Sequence, residues 1–218
     1  MLSRLQYLVE DFFESSATIF YRARFTPNIT TSIGFILTVG SAFFYYEKLS
    51  LVSGWLAAWI LLMVASYFDA VDGAMARRFQ MVSRTGGVLD SVLDRVGEMV
   101  LYSFIALSGL VDLRICLWAL GASLMVSYVR ARVEVEGVKM KGVGIAERPE
   151  RLLILLVSTI LNPFYGILSW GMLLIAILAS ATVIERVFAA LRSLSVKTFS
   201  VGQSRLLSSA DRTLETPK

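Results

Sequence analysis

Residues Asp69–Asp94 read DAVDGAMARRFQMVSRTGGVLDSVLD and carry four aspartates between two long apolar runs. Asp69 and Asp72 are three residues apart, so a helix would present both on one face. Asp90 and Asp94 are four residues apart and would also share a face. Arginines and a pair of glycines lie between the two acidic pairs. The stretch therefore predicts two helices, joined by a short connection, whose carboxylates could close on a divalent metal ion.

The composition predicts an all-α integral membrane protein. Of the 218 residues, 56% are hydrophobic and 17% are charged, and the mean hydropathy is +0.67. These values lie outside the averages of soluble proteins. Because a helix needs about 20 apolar residues to cross a bilayer, we predict six transmembrane helices. Their approximate bounds are 29–46, 51–76, 87–110, 115–132, 149–161 and 164–191.

Both ends of the chain are predicted to lie outside this bundle. In residues 1–24 the apolar side chains form one stripe with charged side chains opposite, which is typical of an amphipathic juxtamembrane helix in the membrane interface. A helix that packs on a partner protein is the alternative. Residues 25–193 would form the six-helix transmembrane domain. Residues 194–218 are rich in Ser, Thr and charge and are predicted to be a mobile cytoplasmic tail.

The basic residues predict the orientation in the membrane. With six spans, all but two of the 21 lysines and arginines fall on one side, and only Lys48 and Arg114 fall on the other. Connections rich in Lys and Arg stay in the cytoplasm. We therefore expect a multi-pass protein of the cell membrane with both termini and all four aspartates on the cytoplasmic side.

The acidic residues limit the possible chemistry. Ionised carboxylates at membrane depth are costly unless they are paired or bind metal, and all-oxygen ligands favour Mg²⁺ or Mn²⁺. The chain has no histidine and one cysteine, Cys116, which excludes histidine-dependent catalysis and an intrachain disulfide. Ion pairing with nearby arginines and an ion path in a transporter are alternatives. The arginines near the same helix ends favour a phosphate substrate over a cation path.

The spacing of these residues resembles the signature of the CDP-alcohol phosphotransferase family. The matching positions are Asp69, Asp72, Gly73, Ala76, Arg77, Gly86, Asp90 and Asp94. The resemblance implies a membrane transferase that moves a substituted phosphate from a CDP-linked donor to an alcohol and releases CMP. It also implies that Asp69, Asp72 and Asp90 hold the metal ion and that Asp94 is the catalytic base.

The same resemblance implies a site for the CDP part of a CDP-lipid donor. Small side chains at Gly73 and Ala76 would let a nucleotide lie close to the helix backbone, although tight helix packing would also favour them. The family element Pro27-Asn28-x-x-Thr31 precedes the first span. The expected CDP-binding residues are Asn28, Thr31, Asp69, Asp72, Gly73, Ala76, Arg77 and Gly86.

A second cluster predicts the acceptor site. The end of the fourth span and the start of the fifth carry Ser127, Arg130, Arg132, Arg148 and Arg151, which could bind a second anion apart from the diphosphate. These segments resemble phosphatidylinositol-phosphate and archaetidylinositol-phosphate synthases, although the bacterial pattern often has lysine at position 130. The resemblance implies inositol 1-phosphate as acceptor, with glycerol 3-phosphate or serine as alternatives. It further implies a homodimer; we expect no nucleic-acid partner.

Overall fold

The structure is a computed structural model that describes the backbone of residues 2–47, 52–140 and 142–214 and the side chains of residues 11–47, 54–140 and 142–195. Over these residues the chain forms helices and no strands, which confirms the all-α prediction. The helices are α1 Leu2–Arg22, α2 Pro27–Tyr46, α3 Val52–Arg78, α4 Arg84–Ser108, α5 Leu113–Val135, α6 Arg148–Tyr165 and α7 Leu168–Leu214.

Four helical segments in the described part of the chain are long and apolar enough to cross a membrane. They are Pro27–Tyr46, Gly54–Arg78, Leu113–Val135 and Leu168–Ser195. Helices α4 and α6 are not among these segments because they are less apolar: they carry charged side chains, including those of the predicted site. The count of six spans therefore stays a prediction.

Local sequence explains where the helices of the site begin. The Thr26 hydroxyl accepts a hydrogen bond from the Ile29 amide, and Pro27 occupies the first turn of α2, where its missing N–H costs nothing. The Ser83 hydroxyl accepts a hydrogen bond from the Gly86 amide at 3.0 Å. This cap starts α4 at Arg84, slightly before the predicted start near residue 87.

The connection between α6 and α7 lies later than the sequence predicts. We expected a break at Asn162-Pro163, but α6 continues through Pro163 to Tyr165 and ends at Gly166, which has a φ of +62°. The Asn162 backbone carbonyl accepts from the Gly166 amide at 2.8 Å. Its side-chain Oδ1 accepts from the Leu168 amide at 2.9 Å. Asn162 thus shapes the turn rather than ending the helix.

Close packing of α2 with α3 and α4 brings the functional ends of these helices together. A Cβ on Gly34 would lie 3.3 Å from the Ala65 carbonyl oxygen, and one on Gly97 would lie 3.4 Å from Thr38 Cγ2. The Ser41 hydroxyl donates to the Ala58 carbonyl at 2.8 Å. Small side chains at helix contacts allow the backbones to approach closely.

Helix α1 packs on α3 through aromatic and small side chains. Tyr21 stacks on Phe79 with ring centroids 4.0 Å apart, and Ala17 is fully buried. Glu14 pairs with Arg78 at the end of α3. Much of the predicted apolar stripe, including Leu2, lies outside the side chains that the structure describes, and the placement of α1 in the membrane interface stays a prediction.

Helix α7 packs on the two helices that carry the predicted acceptor residues. It packs against α5 and α6, and its backbone is helical across the predicted domain end at residue 193. The division into an interfacial helix, a transmembrane domain and a mobile tail therefore stays a prediction. Residues 215–218 lie outside the described part of the chain.

Candidate active site

The first component of the site is a cluster of three carboxylates. Asp69 and Asp72, near the end of α3, and Asp90, near the start of α4, each place one oxygen so that the three oxygens lie within 4.8 Å of one another. Divalent cations such as Mg²⁺ and Mn²⁺ prefer oxygen ligands of this kind. The structure thus brings together the three predicted metal ligands, and the donor set fits such an ion.

A threonine on α2 orients one of these acids. The Thr31 hydroxyl donates to Asp72 Oδ2 at 2.5 Å, and both residues are buried. Thr31 is one of the predicted CDP-binding residues, whereas its observed contact is with a carboxylate of the acidic cluster. A hydrogen bond to a metal-ligating carboxylate fixes its orientation.

Arg148 links the acidic cluster to the predicted base. Its Nη1 lies 2.7 Å from Asp69 Oδ2, and its Nη2 lies 2.8 Å from Asp94 Oδ1. The second oxygen of Asp94 lies 3.1 Å from Arg95 Nη1. Arg95 also donates from Nε to the Ser127 hydroxyl at 3.0 Å. Asp94 is therefore held between two guanidinium groups at the edge of the carboxylate cluster.

These residues line an open cavity of about 690 Å³. Its wall joins the ends of α3, α4, α5 and α6 with one residue of α7. Four of the five predicted acceptor residues face it. The polar lining includes Asp69, Asp90, Ser91, Asp94, Arg95, Ser127, Tyr128, Arg130, Glu134, Glu147, Arg148, Arg151 and Arg186.

The arginines predicted for the acceptor site differ in their surroundings. Arg132 is absent from the cavity lining and pairs with Glu136 at 2.6 Å on the exposed side of α5. Arg130 lines the cavity, and its Nε lies 3.0 Å from Glu134. Because Arg132 lies two residues after Arg130 on a helix, it points to a different face.

Arg151 is buried in a second ion pair. Its Nε and Nη2 lie 2.9 and 3.0 Å from the two carboxylate oxygens of Glu98, and its Nη1 donates to the Ala146 carbonyl at 3.0 Å. The Tyr102 hydroxyl donates to Glu98 at 3.3 Å. Arg151 is 1% exposed, so its contacts are internal even though it borders the cavity.

Arg186 is a cavity residue that the sequence analysis did not assign to the site. It lies on α7 and is 2% exposed. Its Nε and Nη1 each donate at 2.7 Å to backbone carbonyls, of Val143 and Val126, and its Nη2 lies 2.6 Å from Glu147. The signal was an arginine within a long apolar span, which is costly without a function.

The predicted CDP-binding residues fall on the other side of the acidic cluster. A cavity of about 530 Å³ between α1 and α3 is lined by Asp69, Gly73 and Arg77 together with Phe13, Glu14, Ala70, Ala74 and Arg78. A Cβ on Gly73 would lie 3.2 Å from Arg77 Nη1, so the glycine leaves room for the guanidinium.

Two further predicted CDP residues, Asn28 of α2 and Gly86 of α4, lie together where α4 begins. A Cβ on Gly86 would lie 2.9 Å from Asn28 Oδ1, which places Asn28 directly against the α4 cap. Ala76 does not line the α1–α3 cavity among the described residues. Among the predicted donor residues, one group thus lines the α1–α3 cavity and another lies at the start of α4.

Comparison with known proteins gives the family context. The sequence model of the CDP-alcohol phosphatidyltransferase family matches residues 24–192. The archaetidylinositol phosphate synthase of Pyrococcus horikoshii is 36% identical over 196 residues, which cover 90% of this chain and 100% of that protein. The phosphatidylinositol phosphate synthase of Mycobacteroides abscessus is 34% identical over 185 residues, which cover 79% of this chain and 80% of that protein.

Solved structures of phosphatidylinositol phosphate synthase from Mycobacterium tuberculosis have the same fold. The structure with CDP-DAG bound has a TM-score of 0.70 and 28% identity, over 82% of this chain and 92% of that chain. The structure in complex with manganese and citrate has a TM-score of 0.70 and 27% identity, over 82% of this chain and 88% of that chain.

Proposed function

The chain belongs to the CDP-alcohol phosphatidyltransferase family, and from that membership we propose that it transfers the lipid-linked phosphate of a CDP-lipid to a hydroxyl of inositol 1-phosphate and releases CMP. The observation that carries the proposal is the 690 Å³ cavity. It joins the acidic cluster and Asp94 to a wall of arginines. Family membership makes the chain an enzyme, which sets aside the transporter alternative.

Asp69, Asp72 and Asp90 would hold Mg²⁺ or Mn²⁺, since their oxygens lie within 4.8 Å of one another. When bound, the ion neutralises negative charge on the diphosphate of the donor and on the departing CMP. Thr31 keeps Asp72 in position by its 2.5 Å hydrogen bond. Side chains of the protein would orient the donor and remove the proton of the acceptor hydroxyl.

The acceptor's own phosphate would bind among the arginines of the cavity. Arg130 and Arg148 reach it from two different helices, and Ser127 offers a hydroxyl at the same wall, whereas the Arg186 guanidinium is bound to Glu147 and to two backbone carbonyls. Guanidinium groups form paired hydrogen bonds with phosphate oxygens. Arg132 and Arg151 are bound to Glu136 and Glu98, and we do not assign them to the phosphate.

The transfer step follows from this arrangement. The acceptor hydroxyl oxygen forms a bond to the lipid-linked phosphorus, and the bond from that phosphorus to the oxygen shared with CMP breaks. CMP leaves with that oxygen, and the hydroxyl proton passes to the Asp94 carboxylate. Because both Asp94 oxygens contact arginines, binding of the acceptor phosphate by Arg148 would free one oxygen to take the proton.

The donor would span the two sides of the acidic cluster. Gly73 and Arg77 line the α1–α3 cavity, where the nucleotide would bind. Asn28 lies beside Gly86 at the start of α4. The lipid tails would extend from the diphosphate into the bilayer. We propose six spans, an interfacial α1 and a cytoplasmic active site, in agreement with the distribution of basic residues.

Turnover by the purified protein tests the reaction. CMP release is measured with Mg²⁺ and either CDP-diacylglycerol or CDP-archaeol, in separate reactions with inositol 1-phosphate, glycerol 3-phosphate and serine. We expect turnover with inositol 1-phosphate with at least one donor. Turnover with glycerol 3-phosphate and none with inositol 1-phosphate would refute the proposed acceptor. The two donors report which lipid backbone the enzyme uses.

Two additional measurements address the base and the assembly. Asp94→Asn should remove turnover while leaving the thermal shift produced by CDP-lipid unchanged, because the substitution removes a base and keeps the side-chain shape. Full activity of this variant would refute the assigned base. We also propose a homodimer, and light scattering in detergent should give twice the 24.2 kDa chain mass.

A further inference from the structure

A buried carboxylate outside the family motif pairs with Arg151, one of the arginines that the sequence predicts for the acceptor site. Glu98 lies one helical turn after Asp94 on α4 and is 7% exposed. Its two oxygens accept hydrogen bonds from Arg151 at 2.9 and 3.0 Å, and Tyr102 donates to the same carboxylate at 3.3 Å. A carboxylate this buried is unusual unless it is paired.

Helices α4 and α6 are joined by two parallel ion pairs. Asp94 and Glu98 are four residues apart on α4, whereas Arg148 and Arg151 are three residues apart on α6. The outer pair, Arg148–Asp94, lies at 2.8 Å and is partly exposed to the cavity. The inner pair, Arg151–Glu98, is closed off from solvent. Long side chains thus connect consecutive turns of α4 and α6, while the backbone of α6 packs against α3 and α7.

The two pairs suit different tasks. The outer guanidinium can exchange Asp94 for a phosphate oxygen because it borders the cavity. The inner guanidinium is occupied on both sides, by Glu98 and by the Ala146 carbonyl just before α6. A paired arginine fork fixes direction as well as distance. The inner pair can therefore hold the first turn of α6 while the outer pair changes partner.

We propose that Glu98 is a positioning residue for the acceptor site: through Arg151 it fixes the first turn of α6 on α4 and so aims Arg148 between the acceptor phosphate and Asp94. This inference rests on the proposed function. It assigns Arg151 to the scaffold, although the sequence had favoured a direct contact with the acceptor. Small displacements of a positioning group have large effects on rate and binding.

The test compares Glu98→Gln, Arg151→Gln and the double variant with the wild type. Glu150→Gln is the matched control, since Glu150 is an exposed glutamate in the same first turn of α6. Steady-state kinetics give the KM of each substrate. We expect each single variant to raise the KM for inositol 1-phosphate by about 10-fold or more, with the KM for CDP-lipid changed less than about twofold.

The double variant distinguishes positioning from direct binding. Because the two residues act as one unit, the double variant should be no worse than the more affected single variant. If Arg151 bound the acceptor itself, Glu98→Gln would release it and lower the KM for inositol 1-phosphate. That result would overturn the inference, as would equal changes in the KM of both substrates. If the Gln variants do not accumulate, Glu98→Asp and Arg151→Lys are judged by the same criteria.

A measurement without substrate separates this inference from the proposed function. Backbone amide exchange in residues 147–152 should be faster in Glu98→Gln and Arg151→Gln than in wild type and Glu150→Gln. Unchanged exchange would overturn the positioning role, whichever acceptor is used. If the variants show this exchange pattern but the wild-type protein has no turnover with inositol 1-phosphate, the result counts against the proposed function and not against the positioning role.

Discussion

At the scale of single residues, the hydroxyl of Thr31 donates a hydrogen bond to one of the proposed metal-site carboxylates. Its 2.5 Å hydrogen bond to Asp72 crosses from α2 to α3 in a buried setting. Partners of this kind tune metal affinity without touching the metal. The bond therefore joins the packing of two helices to the chemistry of the site.

Thr31→Val should weaken metal binding while retaining the fold. Valine has nearly the same shape and lacks the hydroxyl, so we expect the Mg²⁺ concentration for half-maximal activity to rise by about tenfold. A Mg²⁺ titration of CMP release measures this. Thr31→Ser keeps the hydroxyl and serves as the control, with a midpoint close to wild type. Equal midpoints for the Val and Ser variants would show that the hydrogen bond has no part in metal binding.

Asp90→Ala should remove activity through loss of a metal ligand. Asp90 is the α4 member of the three-carboxylate cluster, and we expect turnover to fall by about 100-fold or more. The variant should also lose the rise in melting temperature that Mn²⁺ gives the wild type, because a ligand stabilises the state that binds it. Retained turnover together with a retained Mn²⁺ shift would contradict the metal site.

Sequence reasoning worked best for residues at short spacing. Asp69 and Asp72 share a helical face because they are three residues apart, and the structure places Asp90 beside them as predicted. The pairing of Arg151 with Glu98 depends on how α6 meets α4, and no local pattern encodes that contact. For the same reason the sequence does not distinguish Arg151, which is buried against Glu98, from the arginines proposed to bind the phosphate.

At the scale of elements, the α5–α6 connection is fixed to α7. The Thr182 hydroxyl accepts hydrogen bonds from the amides of Ile145 at 3.2 Å and Ala146 at 3.0 Å. Gly144 has a φ of +117°, and a Cβ there would lie 2.3 Å from Thr182 Cγ2. Because this connection leads directly into Arg148, its geometry helps to set the start of α6.

Gly144→Ala should therefore destabilise the connection more than Gly142→Ala. Both glycines have positive φ, which costs an alanine about 1 kcal/mol. A Cβ at Gly142 would meet nothing within 4 Å, whereas one at Gly144 would overlap Thr182. Overlap of this kind adds about 1–3 kcal/mol. Melting temperatures in detergent compare the two variants, and equal decreases would contradict the close contact with Thr182.

The end of α6 shows how two local signals compete. The predicted spans leave a break at Asn162-Pro163, and proline disfavours the helical conformation in the residue before it. The helix instead reaches Tyr165 because Gly166 takes the left-handed conformation and Asn162 satisfies the amides of the turn. The strongest stop signal was the glycine, three residues beyond the proline.

At the scale of the whole molecule, the orientation in the membrane is open to direct test. In a Cys116→Ala background, Arg114→Cys and Lys139→Cys place one thiol at each exposed end of the fourth predicted span. A membrane-impermeant maleimide added to intact cells should label the cysteine at 114. It should label the cysteine at 139 only after permeabilisation, because basic connections stay in the cytoplasm. The reverse pattern would refute the proposed topology.

The distribution of the site along the chain explains what the sequence could not reveal. The proposed metal ligands lie close together in sequence, but the cavity is also lined by Arg148 and Arg186 from helices that follow much later. The positive-inside rule predicts basic residues at cytoplasmic helix ends in any case. That rule concealed Arg186, whose buried contacts with the Val126 and Val143 carbonyls depend on how α7 packs.

This late contribution has a consequence for biogenesis. A chain made from its N-terminus presents Asp69, Asp94 and their neighbours to the membrane before Arg148 has been translated. The nascent protein thus carries both aspartates on α3 and α4 while the guanidinium that bridges them is still absent. The bridge forms when α6 arrives, and the connection before α6 is held on α7 by the Thr182 hydroxyl. The acceptor cavity is therefore complete only after Arg186 on α7, the last lining residue in the chain, has been translated.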